Sequence, residues 1–297
     1  MTFLNRRDFL RQTSALTGAA FALGPMAALA EAKPGSKIRL GLVTYLWGAK
    51  WDLPTLLSNC EKGNVLGVEL RTTHAHGVEP SLNARQRTEV RKRFDDSPVV
   101  NVGIGSNERF DHADPAALKT AIEATKEFVK LSQDVGGSGV KVKPDGFPKG
   151  VDRNKTIEQI GESLNIVGAF AADYGQQIRL EVHGQCSPPP IMKRIMDVAD
   201  HPNVFICWNS NAADLEGEGL EYNFNLLKDR FGATLHIRQL EYPKYPFQEL
   251  LDLLVAIDYD GWALLECHDK IEGDPVARLA GQAELFEEMV AKARTKA

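Results

Sequence analysis

Ile38-Arg39-Leu40-Gly41-Leu42-Val43-Thr44, running on into Tyr45-Leu46-Trp47-Gly48, decides between two ways of folding this chain. The first seven residues are apolar and β-branched enough for a buried strand. The loop after them lacks the Gly-rich phosphate loop that a doubly wound sheet carries behind its first strand. Similar short runs recur at 65–70, 99–104, 139–142, 178–182, 204–208, 234–237 and 262–267. Amphipathic stretches of helical period follow them, at 54–61, 84–94, 115–135, 155–174, 191–199, 222–230, 247–257 and 275–293. Asp52, Asp114, Asp152 and Asp274 stand where N-caps belong, three of them just before a proline suited to a first helical turn. Strand–helix alternation at this spacing builds a parallel sheet covered by helices. Eight such units without a phosphate loop predict a single-domain α/β fold, a (β/α)8 TIM barrel over residues 31–297, close to the typical ~250 residues of that fold.

Residues 1–30 are read separately. Arg6-Arg7 precede Phe9-Leu10, a mildly apolar stretch of about 16 residues follows, and Ala28-Leu29-Ala30 closes it. A positive start, apolar middle and small-residue end make a secretory signal, and the twin arginines predict the Tat route. Gly18, Gly24 and Pro25 interrupt the apolar stretch, which is also shorter than the ~20 residues of a membrane span. Cleavage after Ala30, a periplasmic location and passage through the Tat translocase are the expectations.

The chain carries a formal charge of −5, and without the leader's Arg6, Arg7, Arg11 and Asp8 the remainder carries −7. That balance excludes nucleic acid as the main partner, since phosphate binding wants a basic face. Cys60, Cys186, Cys207 and Cys267 show no CxxC spacing, and buried thiols are expected of Cys207 and Cys267. One disulfide remains compatible with an oxidising compartment.

In a (β/α)8 barrel, chemistry collects at the C-terminal ends of the strands. Reading those ends gives His74 and His76, then Lys141 and Lys143, then Glu181 and His183, then Asn209 and Asn211, then His236 and Arg238, and last Glu266 and His268. Five of the seven histidines lie there. Period-two alternation puts Arg179, Glu181 and His183 on one face of their strand, with Leu180 and Val182 on the other. The same parity pairs Cys207 with Asn209, His236 with Arg238 and Leu264 with Glu266. Two carboxylates and an imidazole inside a barrel need compensation. A divalent cation supplies it, with Glu181 and Glu266 cancelling its charge and His236 lending a nitrogen.

Leu180-Glu181-Val182-His183, Cys207-Trp208-Asn209-Ser210-Asn211, Leu235-His236-Ile237 and Leu265-Glu266 resemble the xylose isomerase-like barrels, in their sugar phosphate isomerase/epimerase branch. The resemblance covers most of the chain after the leader. It implies Glu181, Asn209, His236 and Glu266 as ligands of Mn, Mg, Co or Zn, and Glu181 and Glu266 as the catalytic acid–base pair. The branch has Asp where this chain has Asn209, so the metal has one anionic ligand fewer. Extra ligation by His183, or by His74 and His76, would offset that loss.

The reaction implied is proton abstraction next to a carbonyl through an enediolate, an isomerisation or epimerisation of a sugar. For substrate contacts the expected residues are His74, His76, Lys143, His183, Asn211 and Arg238, with Lys141 an alternative to Lys143 in holding sugar oxygens. Trp47 and Trp208 are expected as apolar walls for a sugar ring. Plainer roles stand beside these: Asn209 and Asn211 as turn caps, one of the lysines as an interior partner of Glu69, and 242–246, with its prolines and tyrosines, as a rigid rim loop. Two other functions share the same residues, a periplasmic lyase or hydratase acting on 3-keto-glycosides and a non-catalytic sugar-binding barrel. The expected partner is thus a small sugar or keto-glycoside, and a homo-oligomer is left open.

Overall fold

The computed structural model describes Gly35 and residues 37–297; the leader read at residues 1–30, with its cleavage after Ala30, lies outside them. In chain order the elements are β1 (Arg39–Val43), α1 (Leu53–Lys62), β2 (Gly67–Arg71), α2 (Ala84–Asp95), β3 (Val100–Arg109) and α3 (Pro115–Asp134). They continue as β4 (Gly139–Lys143), α4 (Arg153–Ala172), β5 (Gln177–Glu181), α5 (Pro189–Val198), β6 (Val204–Cys207) and α6 (Leu220–Leu227). The last four are β7 (Thr234–Ile237), α7 (Phe247–Ala256), β8 (Trp262–Leu265) and α8 (Pro275–Arg294).

The strands are parallel and lie in the order β6-β5-β4-β3-β2-β1-β8-β7. The ends of this ladder, β6 and β7, meet through two parallel bridges, Ile206 with Phe231 and Asn209 with His236. Gly232 N donates to Ile206 O at 2.9 Å and His236 N to Trp208 O at 2.7 Å. The sheet thus comes round into the (β/α)8 TIM barrel that the alternation predicts. β3 runs on to Arg109, five residues beyond the predicted 99–104, because it keeps pairing with β4 across a register shift between Gly105 and Arg109.

The helix starts follow their predicted caps. Asp52 accepts from Thr55 N at 2.9 Å, Asp114 from Ala116 N at 3.0 Å, Asp152 from Asn154 N at 2.9 Å and Asp274 from Val276 N at 3.1 Å. Each cap contributes about 1 kcal/mol. Residues of outward parity, among them Leu42, Leu70, Val140, Leu180 and Ile206, are fully buried in the main core between strands and helices. Among the described residues no helix is long and apolar enough to cross a membrane.

Inside the barrel the two ends differ. Val43, Val102, Trp262 and Leu264 form a small apolar cluster of their own. Gly41 and Gly67 make room for it: a Cβ on Gly67 would stand 2.3 Å from the Trp262 ring, and one on Gly41 2.5 Å from Leu264. Arg179 is fully buried beside this layer, bonding Val102 O at 2.9 Å, Ser138 Oγ at 2.7 Å and Gln177 Oε1 at 2.9 Å. Glu69, Lys141, Glu181, His236 and Glu266 are buried as well, and all five lie on strands or immediately after them on inward parity. All four cysteines are buried free thiols.

A buried acid sits behind the β6–β7 seam. Asp214 Oδ2 accepts from Asn211 N and from the Tyr245 hydroxyl, each at 2.8 Å, while its Oδ1 has no partner. Burial pushes this carboxyl up to about 7. Because the folded value lies above the unfolded one, the folded state binds more protons between roughly pH 4 and 7, and stability falls as pH rises through that window. Asp214→Asn removes this pH dependence. Urea unfolding is expected to show the variant gaining about 2 kcal/mol on the wild type between pH 5 and 7; a constant difference would show that Asp214 ionises freely.

Candidate active site

The strand ends surround a pocket of about 220 Å³, whose lining includes Tyr45, Arg71, Lys141, Lys143, Glu181, His183, Asn209, Asn211, Arg238, Glu266 and His268. Its floor is built from three buried groups on β5, β7 and the end of β8. His236 Nδ1 lies 3.7 Å from Glu181 Oε1 and 3.6 Å from Glu266 Oε2. One ligand atom from each of the three residues falls within 4.8 Å of the others. His236 Nδ1 has no hydrogen-bond partner. An orphaned imidazole nitrogen aimed between two buried carboxylates fits a divalent cation.

Asn209 completes the floor from the end of β6. Its Nδ2 donates to Glu181 Oε1 at 2.9 Å and to Glu266 Oε2 at 3.2 Å, so the amide straddles both acids. The oxygen of this amide is the atom able to ligate a metal. Asn211 Nδ2 donates to Val182 O at 2.7 Å and Asn209 O at 3.0 Å. It also opens the short turn Ala212–Leu215 through a capping box with Asp214, so it both caps the turn and lines the pocket.

Lys141 is the least expected member. It is fully buried, with its ammonium 2.7 Å from Glu181 Oε2. The register pairs Lys141 with Arg179, one inward position below Glu181, so the long side chain reaches up to the carboxylate. The sequence offered Glu69 as an interior partner; in the structure Glu69 adds attraction at longer range, and the direct contact is Glu181. Burial works against charge on Lys141, but Glu181, Glu69 and Glu266 outweigh it and keep the group cationic. Burial also opposes ionisation of Glu181, and the Lys141 ammonium, helped by His236, reverses this and holds the carboxyl well below its ordinary range. Glu69 faces the other side of the imidazole, 3.2 Å from His236 Nε2.

His183 reaches the pocket wall and is set by a carboxylate, its Nδ1 2.6 Å from Asp145 Oδ1. That bond is the main reason Asp145 is pulled down to about 2. Behind this pair opens a second, wider cleft of about 570 Å³ that includes Arg109, Asp111, Phe147 and Gln185 and shares His183 with the first.

Of the predicted substrate contacts, Lys143, His183, Asn211 and Arg238 line the central pocket, whereas His74 and His76 do not. His76 serves its own loop, with Nε2 2.8 Å from Arg71 O and Nδ1 accepting from Val78 N at 3.0 Å. His74 rests 3.4 Å from Thr44 Oγ1. Neither indole is a sugar wall. Trp208 has outward parity and packs among Phe224 and Phe231 with its N–H 3.2 Å from Tyr245. Trp47 is buried beneath Arg278 and bonds Asp269 at 3.1 Å. The aromatic ring in the pocket is Tyr45, two residues past β1, and Arg71 at the end of β2 joins it. Arg71 shares the inward parity of Gly67 and Glu69, a signal that was available in the sequence.

A protein-family model described as Xylose isomerase-like TIM barrel matches residues 59–289. The chain belongs to that family. Solved structures resemble it over most of their length. An L-ribulose 3-epimerase superposes with a TM-score of 0.74 at 18% identity, covering 87% of this chain and 96% of that one. A 3-keto-D-glucoside 4-epimerase from E. coli gives 0.66 at 16%, covering 87% and 99%. A probable 3-DHS dehydratase involved in petrobactin synthesis from Bacillus anthracis gives 0.66 at 14%, covering 84% and 98%. No curated protein matches the sequence. Identities this low carry the fold across and leave the reaction to the site itself.

Proposed function

We propose that this barrel is an exported, metal-dependent sugar isomerase or epimerase that moves a proton beside a carbonyl. The observation that carries the reading is the pair of buried carboxylates, Glu181 and Glu266, with an unpartnered imidazole nitrogen between them. Glu181, His236 and Glu266 would hold the cation, with the Asn209 oxygen as a fourth donor. When bound, such an ion stabilises negative charge developing on a substrate carbonyl oxygen. The protein's own part is proton transfer. Glu266, at the pocket wall and not in contact with Lys141, takes the proton from the carbon next to the carbonyl. For an epimerisation Glu181 would return a proton to the opposite face, drawn from the Lys141 ammonium 2.7 Å from its Oε2; for an isomerisation Glu266 would return the abstracted proton to the adjacent carbon. The similarity to two named epimerases supports this reading through the fold alone. The leader read in residues 1–30 supports a periplasmic place of action.

A second reading keeps the proton abstraction and changes the step after it: a lyase that expels the glycosidic oxygen of a 3-keto-glycoside. The wide cleft behind His183 favours it, because it gives a second sugar room next to the reacting one. Product analysis on a keto-disaccharide separates the two, one new stereoisomer against two fragments.

Elemental analysis of the purified full chain tests the metal. Near-stoichiometric divalent metal is expected in the wild type and none in His236→Ala. Wild type without metal after reconstitution with Mn, Mg, Co and Zn would end the metal-dependent reading.

A further inference from the structure

Three cationic side chains from three different strands stand in the lining of the central pocket: Arg71 at the end of β2, Lys143 at the end of β4, and Arg238 one residue past β7. Among the described residues none of them has a carboxylate within 4.0 Å. That is unusual for this chain, which has five more acidic than basic residues and pairs many of its outer cations, such as Arg87 with Asp134 at 2.8 Å and Arg93 with Glu89 at 3.0 Å.

The guanidinium of Arg71 lies on the Tyr45 ring at 4.7 Å and donates one bond, to Asn107 Oδ1 at 3.2 Å. Its Nε is buried and has no acceptor. Arg238 lies over Tyr242 at 4.8 Å. Aromatic stacking fixes the plane of each guanidinium while leaving its edge free to donate. Asp145, a rim acid near Lys143, is committed to His183 at 2.6 Å and Arg109 at 3.2 Å. Burial first, and then the neighbouring Lys141, push Lys143 below its ordinary value.

These cations are not needed to balance the floor. Of the three buried carboxylates in and below it, Glu181 has Lys141 at 2.7 Å, Glu69 feels Arg179 at longer range, and Glu181 and Glu266 would share the divalent ion of the proposed function. A neutral sugar offers hydroxyl groups, for which neutral and acidic side chains suffice. Two planar forks and an ammonium converging on one mouth match the oxygens of an anion.

The geometry points to an anionic sugar as the substrate, held by Arg71, Lys143 and Arg238 through a carboxylate or phosphate remote from the reacting carbonyl carbon. This rests on the reading of the floor as the site of proton transfer. It adds the substrate's charge and the direction in which it lies: anion at the mouth, reacting carbon over Glu181 and Glu266.

The test is calorimetric titration of the metal-loaded full chain with D-glucuronate and D-glucose, and with D-fructose 6-phosphate and D-fructose. One charged sugar is expected to bind about 10-fold or more tighter than its neutral counterpart, and the advantage should shrink as salt is raised. Preference within the first pair identifies a carboxylate, and within the second a phosphate. Arg71→Gln with Arg238→Gln should bring the preferred ratio towards one. Lys143→Gln alone, a milder change, should lower it partly. Equal binding within both pairs, binding of no charged sugar, or an unchanged ratio in both variants would overturn the proposal. Glu266→Gln keeps the two readings apart. Charge preference retained in an inactive floor variant supports the anion site, and charge preference in a wild type that turns over none of its sugars would sink the proton-transfer reading alone.

Discussion

Glu266→Gln is expected to lower turnover by about 10²–10⁴-fold, the usual contribution of a positioned acid or base, while sugar affinity changes little. The substitution is nearly isosteric. Its amide oxygen still accepts from Asn209 Nδ2, which lies 3.2 Å from Glu266 Oε2. What disappears is the capacity to take a proton. Rates are to be measured at saturating metal, with metal content checked on the same sample, because Glu266 is also a candidate ligand. Loss of turnover with metal and sugar still bound places Glu266 in the proton path. Unchanged turnover would remove it from that role, and a wild type inactive on every keto-sugar tried would leave the barrel as a binder.

The second large effect is expected from Lys141→Met. Methionine keeps the unbranched length and removes the charge, leaving Glu181 buried beside Asn209 without its closest cation. Breaking one side of a buried pair costs about 3–5 kcal/mol, readable as a drop in the urea midpoint at neutral pH. The pH dependence carries a sign of its own. Glu181 is held below its ordinary range, so its stabilisation is present above the unfolded value and is lost as pH falls through the folded one. Without Lys141 the folded value rises, and the acid limb of the stability curve should move to higher pH. Lys141→Met with Glu181→Gln should recover much of the loss, a coupling that two independent sites would not show. If Lys141→Met alone leaves midpoint and acid limb in place, the ion pair contributes nothing.

Most of the architecture is legible in the sequence because it rests on two short periods. Leu180 and Val182 alternate with Arg179 and Glu181, and the outward pair is buried against helices while the inward pair is buried in the barrel. Residues of that inward parity, Asn209, His236 and Glu266, come together in the structure. Applied consistently it also places Trp208 outside, since its neighbours Cys207 and Asn209 face in; expecting a sugar wall there sets parity aside for an attractive aromatic. His74 and His76 are a different matter. They follow β2 in a loop, where no period says which way a ring turns, and hydrogen bonds to Arg71 O and Val78 N decide it for His76. The partner of Lys141 is beyond reading for a third reason. Whether its ammonium meets Glu69 or Glu181 depends on the register between β4 and β5 and on the reach of a flexible chain.

Where β6 meets β7, the bridge that joins Asn209 to His236 links two residues of the candidate site's floor. Every other neighbouring pair of strands has at least three partners in register. The backbone that fastens the cylinder there and the side chains of the candidate site therefore belong to the same residues. A shift of the backbone at Asn209 would move a candidate site side chain and one of the two closing bridges together. If the site works as proposed, constraint from its chemistry and constraint from ring closure would fall on the same residues at this seam.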